Sequence, residues 1–105
     1  MPVITVMYPG ADGATFDHEY YMRTHIPLVR SRWEGMGLRD VRVMRGMAGP
    51  DGAAPTYSAM ALLDFASMDA FKDAAAKHGA EIFADIPNFT NVKPVVQINE
   101  TLSRT

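Results

Sequence analysis

Apolar and polar positions fall into alternating and helical blocks along this chain, and the blocks predict its elements. Val3 to Tyr8 (VITVMY) is a β-branched, apolar run closed by Pro9-Gly10, which predicts a first strand. The loop PGADGAT follows. From Phe16 to Trp33 the apolar residues recur with helical spacing, the longest such run in the chain. Thr15 or Asp17 can cap this helix, Asp17 and Glu19 suit its N-terminal dipole, and Gly35 and Gly37 end it. Arg39 to Met47 places Val41, Val43, Arg45 and Met47 on one face and Arg42, Met44 and Gly46 on the other, a second strand. Ala48 to Pro55 is a turn cluster of small residues, and a hairpin leads into a third strand, Thr56 to Phe65. Ser67 caps a second helix, SMDAFKDAAAKH, with Asp69 in its first turn, Lys77 and His78 in its last and Gly79 beyond it. AEIFADIPNFT reads as irregular, or as a short helical turn stopped before Pro87. Asn91 to Glu100 is a fourth strand, whose Pro94 favours an edge or a bulge.

The order β-α-β-β-α-β with right-handed crossovers predicts an α+β, ferredoxin-like fold: a four-stranded antiparallel sheet with two helices on one face. Helices on one face should leave the other solvated and its strands cleanly alternating. Here they do not alternate. Ile4, Val6 and Tyr8 oppose Val3, Thr5 and Met7, while Met60 and Leu62 oppose Ala59, Ala61 and Leu63. A sheet apolar on both faces needs a second cover, which predicts a homodimer through the sheet face.

Composition narrows the class. At 105 residues the chain is one domain, 1–105, and 48% hydrophobic with 21% charged residues is ordinary for a soluble protein. No apolar run approaches the roughly 18 residues that span a bilayer, and MPVITVMYPG lacks the basic start of a signal peptide, so the expectation is a cytoplasmic protein without a membrane role. Zero cysteines exclude disulfides, thiol catalysis and thiolate ligands. A net charge of −2 without a Lys/Arg cluster gives no footprint for nucleic acid.

The candidate chemistry begins in the first helix. At about 100° per residue, Tyr21, His25, Ile26, Leu28, Val29 and Trp33, together with His18, Met22 and Arg32, share one broad arc, and Arg23, Thr24, Pro27, Arg30 and Ser31 lie opposite. Pro27 makes this provisional, because it removes a backbone hydrogen bond and invites a kink or restart. His25 is either a packed core histidine or a proton carrier facing a pocket, its pKa lowered by burial. Tyr21, four residues earlier, could hydrogen-bond it or a substrate oxygen, or simply pack. Tyr20 points elsewhere, to the rim of the helix or a subunit contact, and Trp33 is core.

Asp85 is the second catalytic candidate. A carboxylate near His25 would fix its tautomer and stabilise the imidazolium; the plainer role is to cap the following turn. Asn88, Thr90 and Gln97 are polar candidates for substrate contact or for structure, and Phe83 and Phe89 could wall an apolar pocket. Metal is poorly supported: His18 and His25 would stand roughly 10 Å apart along a straight helix, and no H-x-x-x-H occurs. His25 or His78 could ligate a haem, but nothing else points there. No G-x-G-x-x-G follows a strand and no P-loop is present, so no nicotinamide, flavin or other cofactor is expected.

The pattern F-D-x-x-Y-Y-x-x-x-H-x-P-L-V at Phe16 to Val29, with ADIPNFTNVKPVVQI at Ala84 to Ile98, resembles the EthD family of the dimeric α+β barrel superfamily. The resemblance covers the whole chain. It implies a dimer of face-to-face sheets with a cavity in each subunit between helices and sheet. Relatives in that superfamily include muconolactone isomerases, cofactor-free monooxygenases, polyketide cyclases and haem-degrading enzymes, so the resemblance does not fix a reaction. Two readings follow. One is a small-molecule enzyme without a redox cofactor, in which His25 moves a proton on an apolar cyclic or aromatic substrate (isomerase, cyclase, dehydratase or cofactor-free oxygenase chemistry), with Asp85 and Tyr21 in support. The other is a non-catalytic accessory dimer that carries a hydrophobic metabolite.

Overall fold

The computed structural model describes residues 2–104. The chain runs through β1 (Pro2–Pro9), α1 (residues 18–33), β2 (Leu38–Arg45), β3 (Tyr57–Phe65), α2 (Met68–Ala84) and β4 (Val95–Glu100). The strands form one antiparallel sheet in the order β2-β3-β1-β4, which is the ferredoxin-like arrangement that the element order predicts. The two most apolar strands take the centre, with Ile4 opposite Leu63 and Val6 opposite Ala61. The charged β2 and the proline-led β4 take the edges, where an unpaired backbone can be tolerated.

One sheet face carries the core. Ile4, Tyr8, Ala59, Ala61, Leu63 and Phe65 are each no more than 4% exposed, and α1 and α2 cover them. On the opposite face Val3, Thr5, Met7, Met60, Leu62 and Asp64 are only half-buried and Met44 is exposed, so an apolar surface stays open. No helix among the described residues is long and apolar enough to cross a membrane.

α1 starts where Asp17 Oδ1 accepts the Tyr20 N–H at 3.0 Å. It then changes winding: an α turn over His18–Tyr20, a wider π turn over Tyr21–His25, and an α-helix over Ile26–Trp33. The Ile26 N–H reaches back five residues to the Tyr21 carbonyl. This is how Pro27 is accommodated: the wide turn opens the backbone ahead of a ring that would press on the Arg23 carbonyl, and no restart is needed. Gly37, at φ +99°, stops the helical segment; a Cβ there would meet the Ala70 methyl on α2 at 2.8 Å.

The ends of strands β1 to β3 shift by one or two residues from the sequence expectation, and two boundaries differ by more. α2 does not end at Gly79 but continues to Ala84. Its apolar face, with Ala75, Ile82 and Phe83 on the same side as Gly79, continues past the glycine, and that burial outweighs the roughly 1 kcal/mol that glycine costs inside a helix. A Cβ at Gly79 would lie 3.9 Å from the Ala75 methyl, an ordinary contact. Gly79→Ala should therefore stabilise the protein by about 0.5–1 kcal/mol in urea unfolding; a lower midpoint would contradict this packing. β4 begins at Val95 rather than Asn91, because Pro94 offers no ladder donor and the Asn91 side chain is used elsewhere.

Candidate functional site

Hydrogen bonds far apart in sequence bring the start of α1 against the segment after α2. The Asp17 N–H donates to the Phe89 carbonyl at 2.7 Å, and Thr90 Oγ1 donates to the Thr15 carbonyl at 2.6 Å. Asn91 Oδ1 accepts from the Thr15 N–H and its amide donates to the Gly13 carbonyl, both at 2.9 Å. Thr90 and Asn91 are thus structural fasteners, and they place the 85–89 segment beside the π turn.

At that junction His25 Nδ1 lies 3.0 Å from Asp85 Oδ2. The imidazole is 4% exposed and the carboxylate 13%. Oδ1 of the same carboxylate accepts from the Tyr20 hydroxyl at 2.6 Å and from the Asn88 amide at 2.9 Å. Asp85 does not cap the turn over Ile86–Asn88 with its side chain. The ring of Tyr21 stacks on His25 (centroids 5.6 Å, planes 15° apart), and Phe89 packs against it at 4.7 Å.

Tyr20 is the member of this group that sequence reasoning missed. Five residues separate it from His25, which on a regular α-helix is about 140° out of phase. An i→i+5 winding rotates less per residue, which brings the two closer in phase, and the π turn carries both side chains to one carboxylate. A tyrosine five residues before a histidine, with a proline two residues after it, was the available signal.

His25 also lines a cavity of about 80 Å³ between the helices and the sheet. The walls are almost wholly apolar and include Val6, Ala61, Leu63, Ile82, Phe83 and Val96. The exceptions are His25, the edge of Trp33 and the Tyr8 and Tyr21 rings. Trp33 Nε1 is committed to the Ala74 carbonyl at 2.9 Å. The Tyr8 and Tyr21 hydroxyls pair with each other, and burial pushes both well above the ordinary phenol value, so both stay protonated.

Burial lowers the His25 pKa below 6.5, against the opposing pull of Asp85. Burial would raise Asp85, but the hydrogen bonds from Tyr20, Asn88 and His25 outweigh it and hold the carboxyl below 3.8. The pair is therefore a neutral imidazole and a carboxylate. A carboxylate only accepts, so the ring proton is on Nδ1, and Nε2 carries the ring's free lone pair.

The sign of the pH dependence follows. Below 6.5 the unfolded chain binds a proton that folded His25 resists, so this contribution is complete above that value and lost as pH falls beneath it. His18, also lowered by its burial, acts in the same direction. Asp85 favours its ionised form in the fold, a contribution lost as pH drops below 3.8. The melting temperature should fall between roughly pH 7 and pH 5 and again in stronger acid; a rise across the first interval would contradict the neutral ring.

The remaining candidates separate. Tyr21 and Phe83 line the cavity, Phe83 half in solvent at 49% exposure. Asn88 is exposed and acts on Asp85, while Phe89 is buried behind the imidazole. Gln97 does not join them: it lies opposite Thr5 on the open sheet face and donates to Asn99 Oδ1 at 2.7 Å. Arg32 and Met22 also leave the predicted arc, Arg32 pairing with Glu81 at 2.9 Å and Met22 facing solvent at 49% exposure. Among the described residues no three His, Asp or Glu side chains gather as a metal site.

Comparison with known proteins identifies the family and the fold. No curated protein matched the chain. An EthD-like protein from Ralstonia eutropha JMP134 is 40% identical over 99% of this chain and 94% of its own, with a TM-score of 0.91. An ethyl tert-butyl ether degradation (EthD) family protein from Bacillus halodurans C-125 is 23% identical over 97% and 99%, with a TM-score of 0.78. SnoaB, a cofactor-independent oxygenase from Streptomyces nogalater, shares the fold at 14% identity over 98% and 92%, with a TM-score of 0.61. The EthD domain profile spans residues 9–93, which takes in both the helix that carries His25 and the segment that carries Asp85, and the chain belongs to the EthD family.

Proposed function

We propose that this protein is a small-molecule enzyme in which neutral His25 is the general base. The observation that carries the reading is the 3.0 Å contact between Nδ1 and Asp85 on a ring that lines an otherwise apolar cavity. A substrate C–H beside a carbonyl, or a phenolic O–H, loses its proton to Nε2. The imidazolium that forms is stabilised by the Asp85 carboxylate, itself held by Tyr20 and Asn88. Tyr21, in the cavity wall, accepts from the Tyr8 hydroxyl and keeps its own O–H for the substrate oxygen on which charge develops. The enolate or phenolate then returns the proton to another carbon, expels a leaving group, closes a ring or gives electrons to dioxygen, according to the substrate. The last route is the chemistry named for SnoaB, but likeness at that identity is of fold alone and does not select it.

The test is base-catalysed exchange. Butanone and 3-methylbutanone, small enough for the cavity, are incubated with the protein in deuterium oxide, and α-carbon deuteration is followed by NMR. Exchange above the buffer rate, declining as His25 protonates in acid, is expected. Tight binding of these ketones with no exchange would instead favour a carrier protein.

We further propose that two copies pack through the open sheet faces. Met7, Met44, Met60 and Leu62 lie together on that face, and Asp64 Oδ1 is buried there without a hydrogen-bond partner, which a donor from the second copy would supply. Sedimentation should give a dimer at micromolar concentration; a stable monomer would overturn this.

A further inference from the structure

Beside the His25 cavity lies a second concavity of about 430 Å³, and the two share only Phe83 and Ile86 as walls. Ile86 is buried, whereas Phe83 is half exposed, so Phe83 is the part of the partition with room to turn. The outer groove is walled by Pro87, Val92 and Pro94 and by three polar residues. Two of these are spent, since Thr90 and Asn91 fasten the 13–15 loop. The third, Lys93, is exposed and makes no hydrogen bond or ion pair among the described residues.

Size decides how the two spaces are used. The inner cavity, about 80 Å³, is roughly half the volume that accommodates benzene in an apolar protein cavity. Any occupant larger than a short branched chain must therefore extend beyond that cavity, and the groove on the other side of Phe83 offers one uncommitted polar group, a cation. We propose that the substrate is an amphiphilic acid whose apolar end enters the His25 cavity past Phe83 while its carboxylate rests in the outer groove beside Lys93. This deepens the reading of His25 as a base on a cavity-bound substrate, and rests on it.

Trp33 lines the inner cavity and is the only tryptophan, so its fluorescence reports entry. The probes are 4-methylpentanoate and its primary amide, whose short branched chain suits the inner cavity and which differ in charge but hardly in shape. 4-Methylpentanoate should bind the intact protein more tightly than the amide, by roughly threefold to fivefold, the scale of an exposed ion pair. Lys93→Gln should erase that preference and Lys93→Glu should reverse it, with the amide little affected. Equal binding of both probes, a preference that survives in Lys93→Gln, or no Trp33 response to either probe would overturn the proposal. The base reading is scored separately, by ketone exchange: acid preference without exchange would remove the base and leave the groove assignment, and exchange without acid preference would do the reverse.

Discussion

His25→Gln should lower α-carbon exchange by about a hundredfold to ten-thousandfold, the range spanned by a positioned general base. Glutamine can still donate an N–H to the Asp85 carboxylate but has no basic nitrogen to aim at the cavity, so the change removes the proton acceptor and leaves Asp85 a donor. The replaced ring packs against Tyr21 and Phe89 and is almost fully buried, so a stability loss of about 1–3 kcal/mol accompanies it. Circular dichroism and urea unfolding separate that loss from the kinetic one. Exchange within a few-fold of the parent in a folded His25→Gln protein would contradict the assignment.

Asp85→Asn should be nearly as damaging although it is almost isosteric, with exchange falling by about a thousandfold or more. Tyr20 and Asn88 both donate to Oδ1, which selects the orientation of the new amide: its oxygen takes those bonds and its NH₂ faces His25. Nδ1 must then accept, the ring proton moves to Nε2, and the lone pair leaves the cavity. The imidazolium also loses its counter-charge. Asp85 is a positioning residue in this account, so a change in ring tautomer must accompany the lost rate. A purely structural role would lower stability and leave the tautomer unchanged.

Most of the fold was legible in the chain because it follows from patterns that need no distant partner. The β-branched runs of β1 and β3, the Ser67 cap and the turn residues at Ala48 to Pro55 are local signals, and strand order follows from element order. Where a local rule met tertiary packing, packing won. Gly79 reads as a helix terminator, yet α2 runs through it because Ile82 and Phe83 are needed over the sheet. Asn91 reads as a strand start, yet its side chain fastens the loop before α1.

The candidate site was legible by half. His25 and Asp85 could be picked out as chemistry-bearing residues in suggestive places, but their 3.0 Å contact depends on backbone bonds between the 15–17 and 89–91 segments that no periodicity reveals. Tyr20 was hidden because helical wheels assume an α winding and the π turn ahead of Pro27 changes the phase. Gln97, a candidate for substrate contact or for structure, stands in the last strand, where strand parity sends it to the open face and away from His25.

In the proposed mechanism His25 is neutral at neutral pH, with its proton on Nδ1 toward Asp85 and a bare Nε2 for the substrate. Long-range nitrogen–proton NMR correlations of the imidazole ring, followed through a pH titration, test it most directly. A protonated Nδ1, a pyridine-like Nε2 and a titration midpoint below 6.5 are expected. A proton on Nε2 at neutral pH, or a midpoint above 6.5, would contradict it.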